Sequence, residues 1–487
     1  MSRNVSRRVV GPFNRVEGDL EVKLDIAAGE VREARVVAPL YRGFEQMLVG
    51  RDPRDALVYT PRICGICSVA QSVAAARALA ALEGVAPPDN GRLSTNLVLA
   101  NENVADHLTH FYLFFMPDFA HDAYRREPWF GIAGERFKAA RGTAAAEVLP
   151  ARAEFLHLMG LLAGKWPHSL AIQPGGTTRA IEPQERIRIG ALLHAFRRFL
   201  ERTLFGDELE AIVEIGSADA LMRWYGSGDP ARSDFTRFLH IAEALQLERL
   251  GRAGDLFMSY GAYDEVDERL FRAGVWQGGE RMPLRPETIH EDLAHSWMGF
   301  RSSPKHPYEG VTVPAVPTEE GYSWCKAPRL GGRVVEVGAL ARQLIDGHPL
   351  ALDLVARGGG NVRSRVIARL LELARVTLAM ERWAREIVPG EPFCNHGALP
   401  EEGQGMGLIE AARGSLGHWI GVRNGRIHNY QIIAPTTWNF SPRDSNGVPG
   451  ALEQALVGAP VHEGEQNPLA VQHIVRSFDP CMACTVH

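Results

Sequence analysis

Apolar and polar residues alternate along Leu20–Ile26 (LEVKLDI) and again along Val31–Ala38 (VREARVVA), with Ala-Ala-Gly-Glu between them. That pattern predicts a β-hairpin in an N-terminal strand region of about residues 8–45. The period then lengthens. VAQSVAAARALAAL (69–82) is Ala-rich with helical spacing, and LSTNLVLANENVADHLTHFYLFF (93–115) is a long helix candidate with a Ser-Thr start. Further helices are predicted around 183–204, 230–251 and 363–388, the last carrying the clearest amphipathic pattern of the chain. Residues 253–330 are rich in Gly, Pro and His and read as mostly irregular. HWIGVRNGRIHNYQII places two alternating runs around Asn424-Gly425, a second hairpin at about 416–434. A final helix over PLAVQHIVRS leads into a tail at 479–487. The predicted class is mainly α with small β elements, α+β.

Composition narrows the function classes. With 45% hydrophobic and 23% charged residues the chain is an ordinary globular protein, long enough to bury a large core without disulfides. A net charge of −5 with no basic block argues against a nucleic-acid surface. No apolar run is long enough to span a membrane, and the basic N-terminus lacks the apolar segment of a secretory signal.

Four of the six cysteines form two C-x-x-C pairs, Cys64/Cys67 and Cys481/Cys484, one near each end of the chain. Two such turns offer four thiolates, a set that suits zinc, an iron–sulfur cluster, nickel or Cu(I). A structural zinc site is the bland reading, yet zinc ribbons close over short loops and these pairs lie more than four hundred residues apart. Spacing alone does not choose the metal. If the pairs share one site, both chain ends meet, and 1–487 is a single intertwined domain despite a length that would suggest several.

The residues around the cysteines resemble a known family. RICGIC and SFDPCMACTVH are similar to the two metal-binding motifs of the nickel–iron hydrogenase large subunit. RVEGDLEV, YRGFEQMLVGRDPRDA, ADHLTHFY, GYSWCKAPR, RGSLGHW, NYQIIAPTTWN and ALVGAP continue the likeness in order along nearly the whole chain.

The resemblance implies a Ni–Fe(CN)2(CO) centre. By match, Cys64 and Cys481 are terminal nickel ligands, and Cys67 and Cys484 bridge nickel to iron. Splitting H2, whose proton is a very weak acid, needs a metal centre and a nearby base together. The base candidates are Cys481 or Cys484 and the guanidine of Arg413, paired with Asp106 and Asp479. The family usually has Pro where Ala412 stands. Thr436 matches a hydroxyl that bonds an iron cyanide. Glu17 matches the glutamate that first receives the proton from cysteine, although Asp19 replaces the usual His two residues on. Glu45, His487 and the Ile432 carbonyl match ligands of a structural Mg2+, a site that iron or calcium could also fill. Taken singly, these are ordinary surface, capping or packing residues. The motif context gives them their roles.

Three departures point to a branch. Gln71 stands where most members have a His that bonds the bridging sulfur; a Gln amide donates a similar bond without becoming cationic. Ile66 and Phe114 stand where Val and Leu are common, at the narrow end of the gas channel. Neutral drift and core variation are the dull explanations. Together the three resemble the regulatory, hydrogen-sensing branch, which is cytoplasmic and slow. Family precursors carry a short extension after the last histidine, so a chain ending at His487 is a mature form or comes from a gene encoding none.

The expected protein is a hydrogenase, the large subunit of an H2 sensor. A respiratory uptake hydrogenase is the first alternative and a non-catalytic, zinc-stabilised protein the second. Cys325 and Cys394 are isolated and leave no set for iron–sulfur clusters. Electrons therefore need clusters on a partner small subunit. A sensor histidine kinase is a further implied partner.

Overall fold

The computed structural model describes residues 6–299, 303–317 and 320–487. It is an α+β fold in which helices dominate and small antiparallel sheets flank them. Strands β1 (Ser6–Val10), β2 (Glu21–Ala27) and β3 (Glu30–Val37) form one meander, confirming the predicted hairpin and adding a strand before it. The C-terminal chain completes this sheet's surroundings. Val31 N–H donates to the Ala459 carbonyl at 3.0 Å, and Val36 N–H donates to Glu453 Oε1 at 2.9 Å.

Helix α1 (Ser68–Glu83) ends at Gly84 in the left-handed region, and α2 (Asp89–Thr109) packs beside it. The predicted continuation of α2 to residue 115 is helical but widened into a π-turn over His110–Phe115. Helix α3 (Val362–Glu386) matches the predicted amphipathic helix, opening on an Asn361–Ser364 capping box. The 183–204 helix runs Pro183–Phe199 before a second π-turn. The expected 230–251 helix is shorter, Asp234–Ala244, because Gln246 adopts a left-handed conformation that ends it.

Residues 253–330 are mostly irregular, as expected, but they also hold short paired strands, among them Leu256–Ser259 with Gly274–Gln277 and Ile289–Asp292 with Ala327–Leu330. The C-terminal hairpin is part of a three-stranded sheet, β4 (Gly403–Ala411), β5 (Gly414–Arg423) and β6 (Arg426–Ile433). Strand β4 escapes the alternation rule because Gly403, Gly405 and Gly407 stand where apolar side chains would. The reason is steric. A Cβ on Gly405 would meet the Ala78 carbonyl oxygen at 2.1 Å, and one on Gly407 the Ala74 oxygen at 1.9 Å. The strand thus lies backbone to backbone on α1, whose Ala70, Ala74, Ala75 and Ala78 are fully buried. Helix α4 (Leu469–Ser477) then carries the chain back to the centre.

This contact gives a stability prediction. Gly407→Ala forces strand and helix apart and should cost about 1–3 kcal/mol. Gly131→Ala, on a helix where the new methyl meets nothing within 4 Å, should be neutral or stabilising. Paired thermal melts of the two variants check this; equal Tm values would contradict it.

Candidate metal centre

The C-terminal tail reaches the N-terminal cysteines because three polar devices pull the chain ends together. Met482 N–H donates to the Glu17 carbonyl at 2.7 Å, and Glu17 and Cys481 form a parallel bridge. Arg42 donates to the Ile63 carbonyl at 2.5 Å and to the Ala483 carbonyl, gripping the residue before Cys64 and the residue before Cys484. Buried Asp118 takes Arg476 from α4 at 2.8 and 2.9 Å, Arg15 from the N-terminal segment, and His473 Nδ1 at 3.2 Å. Burial opposes the Asp118 charge, but these cations outweigh it and hold the carboxyl well below its usual range. Arg42 and Asp118 were not singled out from sequence, although both lie within or beside recognisable motifs.

The result is a cluster of four sulfurs lying within 4.8 Å of one another. Cys67 Sγ lies 3.0 Å from Cys484 Sγ, Cys481 Sγ 3.1 Å from Cys484 Sγ, and Cys64 Sγ 3.5 Å from Cys481 Sγ. None is in a disulfide. Four buried sulfurs this close together, with no disulfide among them, are a donor set suited to a thiophilic metal. Sharing of protons among the sulfurs holds Cys64 well below the usual thiol range and Cys67 and Cys484 well above it.

Arg413 sits at the tip of the two-residue β4–β5 turn, where Ala411 pairs with Gly414. Its guanidinium, 4% exposed, donates to both Asp106 oxygens at 2.6 and 3.2 Å, to Asp479 Oδ1 at 3.2 Å and to the Asp479 carbonyl at 3.0 Å. Burial disfavours its charge, but Asp106 and Asp479 outweigh burial and keep it protonated. Burial pushes Asp106 up to about 7 against the pull of Arg413. Where the family's Pro is replaced by Ala412, Arg342 steadies the turn, donating to the Ala411 carbonyl at 3.0 Å and the Ala412 carbonyl at 2.8 Å. Arg342 is itself held by Glu372 at 2.8 Å and Glu410 at 2.6 Å.

Thr436 accepts from Cys481 N–H at 3.1 Å. Glu17 is half-buried, and burial followed by the Cys64 charge pushes its carboxyl upward, opposed by Arg413 and Arg42. The structure brings Glu45 Oε1 and His487 Nε2 to 3.2 Å, and Ile432 donates its N–H to Glu45 Oε1 at 2.8 Å. The counter-charge of Glu45 here is the Lys326 ammonium, 3.0 Å away and also 2.7 Å from Gln431 Oε1. A divalent ion would have to share Glu45 with Lys326, which sequence reasoning did not flag. Lys326 and His487 together draw Glu45 down to about 2 against burial.

Gln71 is buried, and its bonding differs from expectation. Its Oε1 lies 2.8 Å from His418 Nε2, whose Nδ1 lies 2.8 Å from the Tyr430 hydroxyl. The amide Nε2, expected on the Cys67 sulfur, has no hydrogen-bond partner among the described residues. Burial pushes His418 down to about 3, so it is neutral and donates to Gln71 from Nε2. Ile66 is half-buried against the core. Phe114 is half-buried on the π-turn, its carbonyl taking Arg15 at 3.1 Å. A π-turn shifts side chains around the axis relative to an α-helix, so Phe114 cannot be placed by helical periodicity alone.

Among the described residues no helix is long and apolar enough to cross a membrane. The model of a family described as nickel-dependent hydrogenase matches residues 42–123 and 145–487. The chain is 28% identical to the periplasmic [NiFeSe] hydrogenase large subunit of Desulfomicrobium baculatum, over 98% of this chain and 94% of that one. It is 27% identical to the uptake hydrogenase large subunit of Bradyrhizobium diazoefficiens, over 99% and 95%. The Ni-Fe-Se hydrogenase of D. vulgaris Hildenborough in its as-isolated oxidised state superposes with a TM-score of 0.84 at 30% identity, covering 99% of this chain and all of that one.

The buttress behind Arg413 gives a pH prediction. Arg342 and His107 overcome burial and lower Glu372 from 4.5 to about 2. A lowered carboxyl contributes stability that is complete above its unfolded value and lost as pH falls through the folded one, here between 4.5 and about 2. The amount at stake is about 3 kcal/mol. Glu372→Gln should therefore lower Tm at neutral pH and flatten its fall over that acid window, read from Tm against pH.

Proposed function

The chain belongs to the nickel-dependent hydrogenase family and is the large, catalytic subunit of a hydrogenase, and on that premise we propose that it serves as a hydrogen sensor. It binds and heterolytically cleaves H2 slowly, for control of hydrogenase gene expression. The buried convergence of Cys64, Cys67, Cys481 and Cys484 carries the enzymatic reading. The sensory reading is supported by the uncharged Gln71–His418–Tyr430 chain and by Ile66 and Phe114, the residue types that resemble the sensing branch at the gas-channel positions.

Cys64 and Cys481 would hold the nickel, and Cys67 and Cys484 both the nickel and the iron, of a Ni–Fe(CN)2(CO) centre. That centre, when bound, supplies the Lewis acidity that polarises H2. The candidate bases for the proton are a sulfur of Cys481 or Cys484 and the Arg413 guanidine. Asp106 and Asp479 fix Arg413 as a cation at the site's edge, so a cysteine is the better base. Glu17, already raised by burial, takes the proton onward from its place beside Cys481. Thr436 fixes the Cys481 backbone and keeps its own hydroxyl proton to donate to a cyanide. Magnesium, or iron or calcium, would be held by Glu45, His487 and the Ile432 carbonyl. Electrons leave through iron–sulfur clusters on a small subunit, because only Cys325 and Cys394 remain in this chain. The two chain ends being bonded to each other supports a single unit over 1–487. The sensor works in the cytoplasm with a histidine kinase.

A second reading, respiratory uptake of H2, is favoured by relatives such as the Bradyrhizobium diazoefficiens uptake enzyme. Gene deletion separates the two. Loss of H2-induced hydrogenase expression is the expected result, whereas intact induction with collapsed bulk H2 oxidation identifies an uptake enzyme.

The relay has its own test. Glu17→Gln should lower the exchange of H2 with D2O by about 100-fold, as loss of a positioned acid–base group does, at unchanged nickel content. Exchange at the wild-type rate would remove Glu17 from the path.

A further inference from the structure

The turn bearing Cys64 and Cys67 runs directly into α1, with Cys67 immediately before its first residue. A helix start leaves backbone N–H groups without partners inside the helix, and here a buried side chain meets them. Glu102, in the middle of α2 and 2% exposed, accepts from Val69 N–H at 2.9 Å through Oε2 and from Ala70 N–H at 2.9 Å through Oε1. Oε2 also accepts from Trp166 Nε1 at 2.8 Å and from the Ser68 hydroxyl at 3.3 Å.

All four partners are donors, and they approach both oxygens. A carboxylate alone among side chains of this size accepts at both ends; a glutamine would turn its own N–H toward a backbone N–H. No ion pair links Glu102 to a cation among the described residues. The helix start itself, with its partial positive charge, offsets part of the cost of burying the group. Burial pushes the carboxyl up to about 8, with the Val69, Trp166 and Ala70 donors pulling against it.

The same segment that supplies Trp166 closes over the cysteine turn. His168 Nδ1 lies 3.0 Å from the Pro61 carbonyl, and a Cβ on Gly65 would touch Pro167 Cγ at 3.8 Å. Arg152 lies over the Trp166 ring, 5.6 Å from its centroid. The turn from Cys64 to Ala70 is thus held by Glu102 at the helix start and covered at Gly65 by Pro167.

We propose that Glu102 is a positioning residue of the metal centre: by anchoring the first turn of α1 and tying it to Trp166, it fixes where the Cys67 sulfur points. It touches no sulfur and acts through Ser68, Val69 and Ala70. The inference rests on the reading of the four sulfurs as a nickel–iron site.

The test compares the purified wild-type heterodimer with Glu102→Gln and Trp166→Phe. Backbone hydrogen exchange over residues 64–75, nickel per chain, and the infrared bands of metal-bound CO and cyanide are measured on each. In Glu102→Gln, exchange at the start of α1 should quicken by about tenfold, the scale of one lost buried hydrogen bond, while α3 is unchanged. The infrared bands of the nickel-loaded fraction should shift. Trp166→Phe, which removes one donor to the same carboxylate, should shift them in the same direction by less. Unshifted bands and unchanged local exchange in Glu102→Gln overturn the proposal. If Glu102→Gln does not fold, unshifted bands in Trp166→Phe overturn it. Wild-type protein without nickel would instead overturn the functional reading beneath it.

Discussion

Four sulfurs from opposite ends of the chain are held within 4.8 Å of one another in a buried site. Ionised thiolates at that range repel, and thiols at that range have almost no other groups to bond. The backbone around it is held by contacts that do not involve the sulfurs. The Glu17–Met482 bridge, the Arg42 grip on both cysteine turns and the Asp118 hub each connect residues more than a hundred positions apart. Removing one partner of the buried Asp118–Arg476 ion pair costs about 3–5 kcal/mol.

The charged groups are arranged in layers behind the sulfurs. Arg413 is balanced by Asp106 and Asp479, and the turn that carries Arg413 is held by Arg342, which Glu372 and Glu410 balance in turn. A cation anchored at both levels keeps its charge whatever happens to a proton nearby. On the other side Gln71, His418 and Tyr430 form an uncharged chain. One flank of the site is therefore electrostatically rigid and the other neutral. This asymmetry suits Glu17, which is not tied into either network, as the group whose proton can move.

The sequence patterns that were legible are those with strict period. Helix α3 and the first hairpin follow from spacing alone. Strand β4 does not, because its alternate positions are glycines that let α1 approach. The short strands after residue 253 are too brief to alternate. The π-turn at His110–Phe115 breaks helical spacing where Phe114 sits. The four cysteines and Arg413 with its two aspartates were legible from motifs, and the structure brings them together. What the motifs could not give were partners set by three-dimensional packing. Gln71 bonds His418 rather than a sulfur, Glu45 meets Lys326, and Ile432 offers its N–H.

The central claim is that the two cysteine pairs form one nickel–iron site. Elemental analysis of the purified protein, joined to infrared spectroscopy with and without H2, tests it most directly. The account predicts one nickel and one iron per chain and bands for metal-bound CO and cyanide that respond to H2. Zinc in place of nickel, with none of those bands, would contradict it.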